Sequence, residues 1–194
     1  MKRIFFLPVA AVFLILVSFA VVNNITWSVD GAHSRLGFIV NHLGLADING
    51  SFGAFETKIS TTKPDFSDAV VELSGDVSSI STGISMRDDH LKKADFFDAE
   101  KYPKFSFKSN SFKKGAGKNY IVTGDLTLHG VTKPVTLTAV LNGTATHPMT
   151  KKEMSGFKVT GKIKRSDFGI GGSFPSPMLG EEVNIIADLE FSKE

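Results

Sequence analysis

The 194-residue sequence contains no cysteine. That excludes disulfides, thiolate metal sites and a lipid-modified cysteine anchor. The histidines, His33, His42, His90, His129 and His147, never fall into H-x-H or H-x-x-x-H spacing, so the chain carries no local metal motif and none is expected. Catalytic pairings are missing too. Ser34 and His33 are neighbours on a strand and point to opposite faces, and Asp88 and Asp89 diverge by about 100° on a helix. Asp167-Phe168-Gly169 matches a kinase triplet, but no phosphate-binding glycine loop accompanies it. No catalytic residue is therefore assigned, and the chain is read as a protein other than an enzyme.

An excess of charge of one sign is also lacking: 22 Lys and Arg face 20 Asp and Glu. The only long apolar run is at the start, where Lys2 and Arg3 precede Ile4 to Val22 and Ser18-Phe19-Ala20 ends the run. This order describes a secretory signal peptide, residues 1–20, cleaved after Ala20 and followed by one domain, 21–194. An uncleaved membrane anchor is the alternative. With the leader removed, Lys2 and Arg3 leave and no acid does, so the mature chain is neutral. Nucleic acid, which demands a basic stripe, is excluded as a partner.

Helical periodicity is scarce and confined to one stretch, Ser85 to Phe97. Ser85 and Asp88 have a capping pattern, and Asp88 to Lys92 and Asp89 to Lys93 are acid-to-base pairs at i,i+4. Met86, His90, Leu91, Ala94 and Phe97 share one face with Arg87. Arg87 and His90 on that face need partners: either the body of the protein or the polar end of a ligand. Asp95 to Pro103 reads as a tight exit from the helix, and Pro103 bars further helix.

The rest of the chain has a period of two. Ile25, Trp27 and Val29, then Leu36, Phe38 and Val40, read as one long strand bent at Gly31. Gly50 to Ile59 and Ala69 to Val77 follow, with a break near Gly75. After the helix come strands around Phe105 and Phe107, Val122 to Leu128, Val135 to Leu141, Phe157 to Ile163 and Val183 to Phe191, with His129 to Pro134 as a hairpin connection. About eight strands, each with one apolar and one polar face, predict a mainly β fold with two closed solutions, a sandwich and a barrel; long strands joined mostly in sequence favour an antiparallel up-and-down barrel with one short helix covering one end. Polar outer faces argue against an outer-membrane barrel. The inward faces either fill with Phe or leave a tapered cavity. A cavity would be apolar along its length and polar only at the helix end, which suits a long hydrocarbon with a small head.

Three blocks carry a resemblance: Trp27 to Leu45 (WSVDGAHSRLGFIVNHLGL), Thr82 to Ser109 (TGISMRDDHLKKADFFDAEKYPKFSFKS) and Val122 to Val135 (VTGDLTLHGVTKPV). Arg165 to Ile170 (RSDFGI) adds to them. Together they resemble the YceI-like family of polyisoprenoid-binding, lipocalin-like proteins. The resemblance implies a periplasmic or secreted barrel that holds a polyisoprenoid or similar lipid for transport or storage, with no other cofactor. A homodimer is an open partner. The positions matching the family's polar pattern are His33, Ser34, His42, Arg87, Asp88, His90, Asp95, Asp125 and His129, with Phe96, Phe97, Tyr102 and Pro103. From these, Arg87, His90, Tyr102, His33 and His42 are expected at the head group. The tail is expected against Phe38, Val40, Phe97, Phe105, Phe107, Val122, Leu126, Leu137, Phe157, Val159 and Ile185. The alternative is a filled barrel that binds a protein partner through its loops, above all Gly171 to Met178.

Overall fold

The computed structural model describes residues 23–194, so the leader expected at 1–20 lies outside the described residues. Eleven strands run β1 Ile25–Val29, β2 Arg35–His42, β3 Ala46–Phe52, β4 Phe55–Thr61, β5 Val70–Asp76, β6 Ile80–Ser81, β7 Lys104–Lys114, β8 Asn119–Leu128, β9 Val131–Thr146, β10 Glu153–Lys164 and β11 Leu179–Lys193. One helix, α1, spans Ser85–Leu91. Each strand pairs antiparallel with its neighbours, and β1 closes the ring by pairing with both β4 (Trp27 opposite Ile59) and β11 (Val29 opposite Phe191). β1 with β2, and β3 with β4, act as two bent strands, so the closed barrel has eight staves. The bend between β1 and β2 is held by backbone: Asp30 N–H donates to the Glu190 carbonyl at 2.8 Å.

Alternation of inward apolar and outward polar residues explains why the sheet closes. Along β8, Tyr120, Val122, Gly124 and Leu128 are buried, and along β11 Ala187, Leu189 and Phe191 are buried between the exposed Asp188 and the half-exposed Glu190. Two local features differ from the sequence pattern. The β8–β9 turn consists of His129 and Gly130 alone, both with positive φ (51° and 73°), and Pro134 lies inside β9 opposite Asp125. Proline is tolerated there because β10 pairing with β9 begins only at Leu137, leaving the other edge of Pro134 unpaired. The strand break expected near Gly75 falls instead at Val77–Ser79, a single 3-10 turn.

The helix also differs from its sequence pattern. It ends at Leu91, and Met86 is 82% exposed, so the predicted apolar face from Met86 to Phe97 is not one helical face. Ser85 makes no capping bond. Asp88 turns back to accept from Thr82 N–H (2.7 Å) and Thr82 Oγ1–H (2.5 Å). Beyond α1, successive backbone bonds fold Lys92 to Tyr102 into tight turns that bury Phe96. This segment lies where the wall is incomplete, since β3 pairs on its outer side only at Ser51–Ser81 and Phe52–Ile80. Phe97 packs edge-on against Phe52, ring centroids 5.9 Å apart.

One end of the barrel is plugged by aromatics. Phe66, in the loop between β4 and β5, is 1% exposed and packs on Trp27 (5.4 Å) and Phe157 (5.2 Å). Tyr120 O–H donates to the Asp65 carbonyl at 2.8 Å and ties that loop down.

Candidate lipid-binding cavity

The opposite end opens into a cavity of about 510 Å³ that runs down the barrel axis. The volume falls in the range of about 300–1,000 Å³ common to small-molecule sites. Its lining on β11 extends from Leu179 to Phe191, about 40 Å along the strand, or about 30 Å along the axis at usual barrel tilt.

The lumen exists because the largest side chains lie along the wall instead of across it. Phe38 on β2 stands opposite Gly50 on β3, and Phe105 on β7 stands opposite Gly75 on β5. A Cβ built on Gly50 would come within 2.2 Å of the Phe38 ring, and one on Gly75 within 2.3 Å of Phe105. Each ring therefore occupies the space of the missing side chain, and any larger residue would push it into the lumen.

All eleven positions expected against a tail line this cavity: Phe38 and Val40 on β2, Phe97 in the turn segment, Phe105 and Phe107 on β7, Val122 and Leu126 on β8, Leu137 on β9, Phe157 and Val159 on β10, and Ile185 on β11. Of the five expected head-group residues, the structure brings three together at the mouth: His42 at the end of β2, and Arg87 and His90 from α1. Arg87 donates through Nε to Thr82 Oγ1 (2.7 Å) and through Nη2 to the Thr82 carbonyl (2.8 Å), and forms no ion pair among the described residues. His90 Nε2 meets Asp95 Oδ2 at 2.7 Å, and its ring lies edge-on to Phe96.

His33 and Tyr102 do not line the cavity. His33 sits outside the barrel at the β1–β2 bend, with Nδ1 2.9 Å from Asp30 Oδ2. The hydrogen bond that His33 donates to the Asp30 carboxylate, then the field of Asp30 and Glu190, raise the His33 pKa, and the same bond lowers that of Asp30. Ser34 Oγ is held by the Glu190 backbone, accepting from its N–H at 2.9 Å, so it does not engage His33. Tyr102 lies against the β8–β9 turn, its ring edge-on to His129 at 4.8 Å. His129 Nδ1 is 2.9 Å from the Phe168 carbonyl, a structural contact.

Sequence reasoning missed the residue that shapes the mouth. Arg165, 6% exposed, donates to five carbonyls: Gly180 through Nε (3.1 Å), Ile170 (3.1 Å) and Gly171 (2.6 Å) through Nη1, and Phe174 (2.5 Å) and Leu179 (3.1 Å) through Nη2. It fixes the loop between β10 and β11, from which Phe174 and Met178 reach the opening.

Comparison with known proteins agrees with this architecture. The model of the YceI-like domain matches residues 27–191, nearly the whole barrel. The chain belongs to the YceI-like family. Among its relatives, the UPF0312 protein plu2095 of Photorhabdus laumondii is 34% identical over 185 residues, covering 95% of this chain and 94% of that one. A UPF0312 protein of Pseudomonas putida is 40% identical over 145 residues, 74% of each chain. The crystal structure of the Campylobacter jejuni YCEI protein superposes with a TM-score of 0.73 at 31% identity, over 79% of this chain and 90% of that one. A polyisoprenoid binding domain from Saccharophagus degradans shares the fold, with a TM-score of 0.64 at 17% identity, over 87% of this chain and 98% of that one.

Proposed function

We propose that this protein binds a polyisoprenoid or similar long-chain amphiphile inside its barrel and carries or stores it. The observation that carries this reading is the apolar wall of the cavity, which runs from Leu179 to Phe191 and presents almost no polar surface to the lumen, with the side chains of Arg87, His90 and His42 lining its open end. Burying each CH₂ of a tail contributes about 0.8 kcal/mol. Ordering a flexible chain and losing its overall freedom offset much of that gain, so the head contacts choose among lipids more than they hold them. The domain described as polyisoprenoid binding shares this fold, which supports the ligand class by analogy. The cavity of about 510 Å³ favours this reading over that of a filled barrel that binds a protein partner.

On this reading the site performs no bond chemistry; it trades water for a hydrocarbon wall. Export to the periplasm or beyond, with the leader cleaved and no permanent anchor, is part of the proposal, as is action without a cofactor other than the lipid. No helix among the described residues is long and apolar enough to cross a membrane. The test is native mass spectrometry of the protein purified from its own host, followed by solvent extraction. A stoichiometric isoprenoid lipid is expected. Bare protein that also refuses added polyprenyl lipids would overturn the proposal.

A further inference from the structure

Among the described residues three buried side-chain groups lack a hydrogen-bond partner: Trp27 Nε1, Thr57 Oγ1 and Ser155 Oγ. Only Thr57 also lines the cavity. It is 1% exposed and faces inward from β4, between Phe55 and Ile59, with Leu73 of β5 opposite. Ile59, the next inward residue, pairs with Trp27 of the aromatic plug, so Thr57 belongs to the deep half of the barrel. Burying a hydroxyl without a partner is destabilising, and a valine of the same shape would avoid that cost.

From this we infer that Thr57 is a binding point for an uncharged oxygen of the ligand, carried into the barrel and away from the mouth. This rests on the lipid-binding reading above and narrows it to neutral oxygenated lipids. The charge distribution decides the class. The cationic or titratable groups lining the cavity are His42, Arg87, His90 and Arg165, all on elements of the mouth, and Arg165 is already engaged by five carbonyls. Nothing at the level of Thr57 neutralises a phosphate or carboxylate, and an unpaired buried anion is prohibitive. A carbonyl or ether oxygen asks only for one donor. In this structure Thr57 Oγ1 is buried in the wall and does not open onto the lumen; a turn between staggered χ1 wells exchanges it with Cγ2 and brings the donor to the cavity. Discrimination follows, since a site built to bond a ligand oxygen disfavours the pure hydrocarbon, which leaves the hydroxyl unpaired.

The experiment loads wild type, Thr57→Val and Arg87→Ala with two probes, the isoprenoid ketone geranylgeranylacetone and the oxygen-free isoprenoid squalene. Affinities are measured by transfer from vesicles, and the ketone carbonyl stretch by infrared spectroscopy. Thr57→Val is expected to fold with no loss of thermal stability, to bind the ketone about tenfold more weakly and to bind squalene no worse. The bound carbonyl band should move to lower wavenumber in wild type and return in Thr57→Val. Equal affinities and an unchanged band in Thr57→Val would overturn the assignment, as would a band shift abolished only by Arg87→Ala, which places the oxygen at the mouth. Wild type that takes up neither probe would instead sink lipid binding itself.

Discussion

Arg165 shows what a single residue can decide in this fold. A guanidinium presents five N–H donors in a fixed fork, and here they meet five backbone carbonyls, three in the loop between β10 and β11 and two at the start of β11. Glu181 Oε2 lies 3.7 Å from Nη2 and balances the charge from the rim. Replacing Arg165 with Met keeps the aliphatic stem but orphans the carbonyls that remain buried. We expect Arg165→Met to lose about 3 kcal/mol, near the upper end for removal of a charged hydrogen-bonding group. Thermal unfolding should report it as a fall of roughly 6–12 °C for a domain of this size. A change within about 0.5 kcal/mol, as for an ordinary surface substitution, would show that the loop does not depend on the clamp. This role was not legible in the sequence, because a buried arginine that serves backbone has no side-chain partner at a telling spacing. The reverse holds for His33. Its position in the family pattern suggested a ligand contact, whereas it pairs with Asp30 on the outer surface.

At the scale of elements, strands were legible and connections were not. Period-two alternation survives into the structure because each inward residue on β8 or β11 has a wall or a lumen to face. The helix was legible only at its start. Its expected extension to Phe97 relied on an apolar face, but α1 buries no residue and is held by Thr82 and Asp95. The loop between β4 and β5 makes a similar point at the closed end. Asp68 accepts from Thr61 Oγ1–H (2.5 Å), from Thr62 N–H (3.2 Å) and from the Thr62 hydroxyl, and these bonds hold its pKa down to about 2 from the usual 3.8. A depressed carboxylate stabilises the fold above its unfolded pKa, and that contribution fades as pH falls through its folded pKa. Asp68→Asn is therefore expected to be less stable than wild type near neutrality, with the gap closing between about pH 4 and pH 2. Denaturant melts at stepped pH would check this. A gap that stays constant down to about pH 2 would mean that the hydrogen bonds of the plug loop do not depend on ionisation.

The whole molecule is a barrel with one plugged end, one open end and a lumen kept open by rings laid over glycine. Such a design spends folding stability on emptiness. Apolar walls that face a void lose the packing contacts a filled core would give, roughly 24 cal/mol per Å³ in cavity-forming substitutions of a well-packed protein. A ligand that fills the lumen restores those contacts only in the folded state, so occupancy and stability are linked. For a ligand held at a hundredfold excess over its Kd, the linkage amounts to about 2.7 kcal/mol. In a domain of this size that is a rise in Tm of roughly 5–11 °C. The lipid-stripped protein should therefore melt lower than the same protein reloaded with a polyprenyl lipid, and the difference should grow with the logarithm of lipid concentration. Calorimetry on stripped and reloaded samples measures this directly. Identical melting at every lipid concentration would mean that the lumen does not take up the lipid, and the open mouth would then need another explanation.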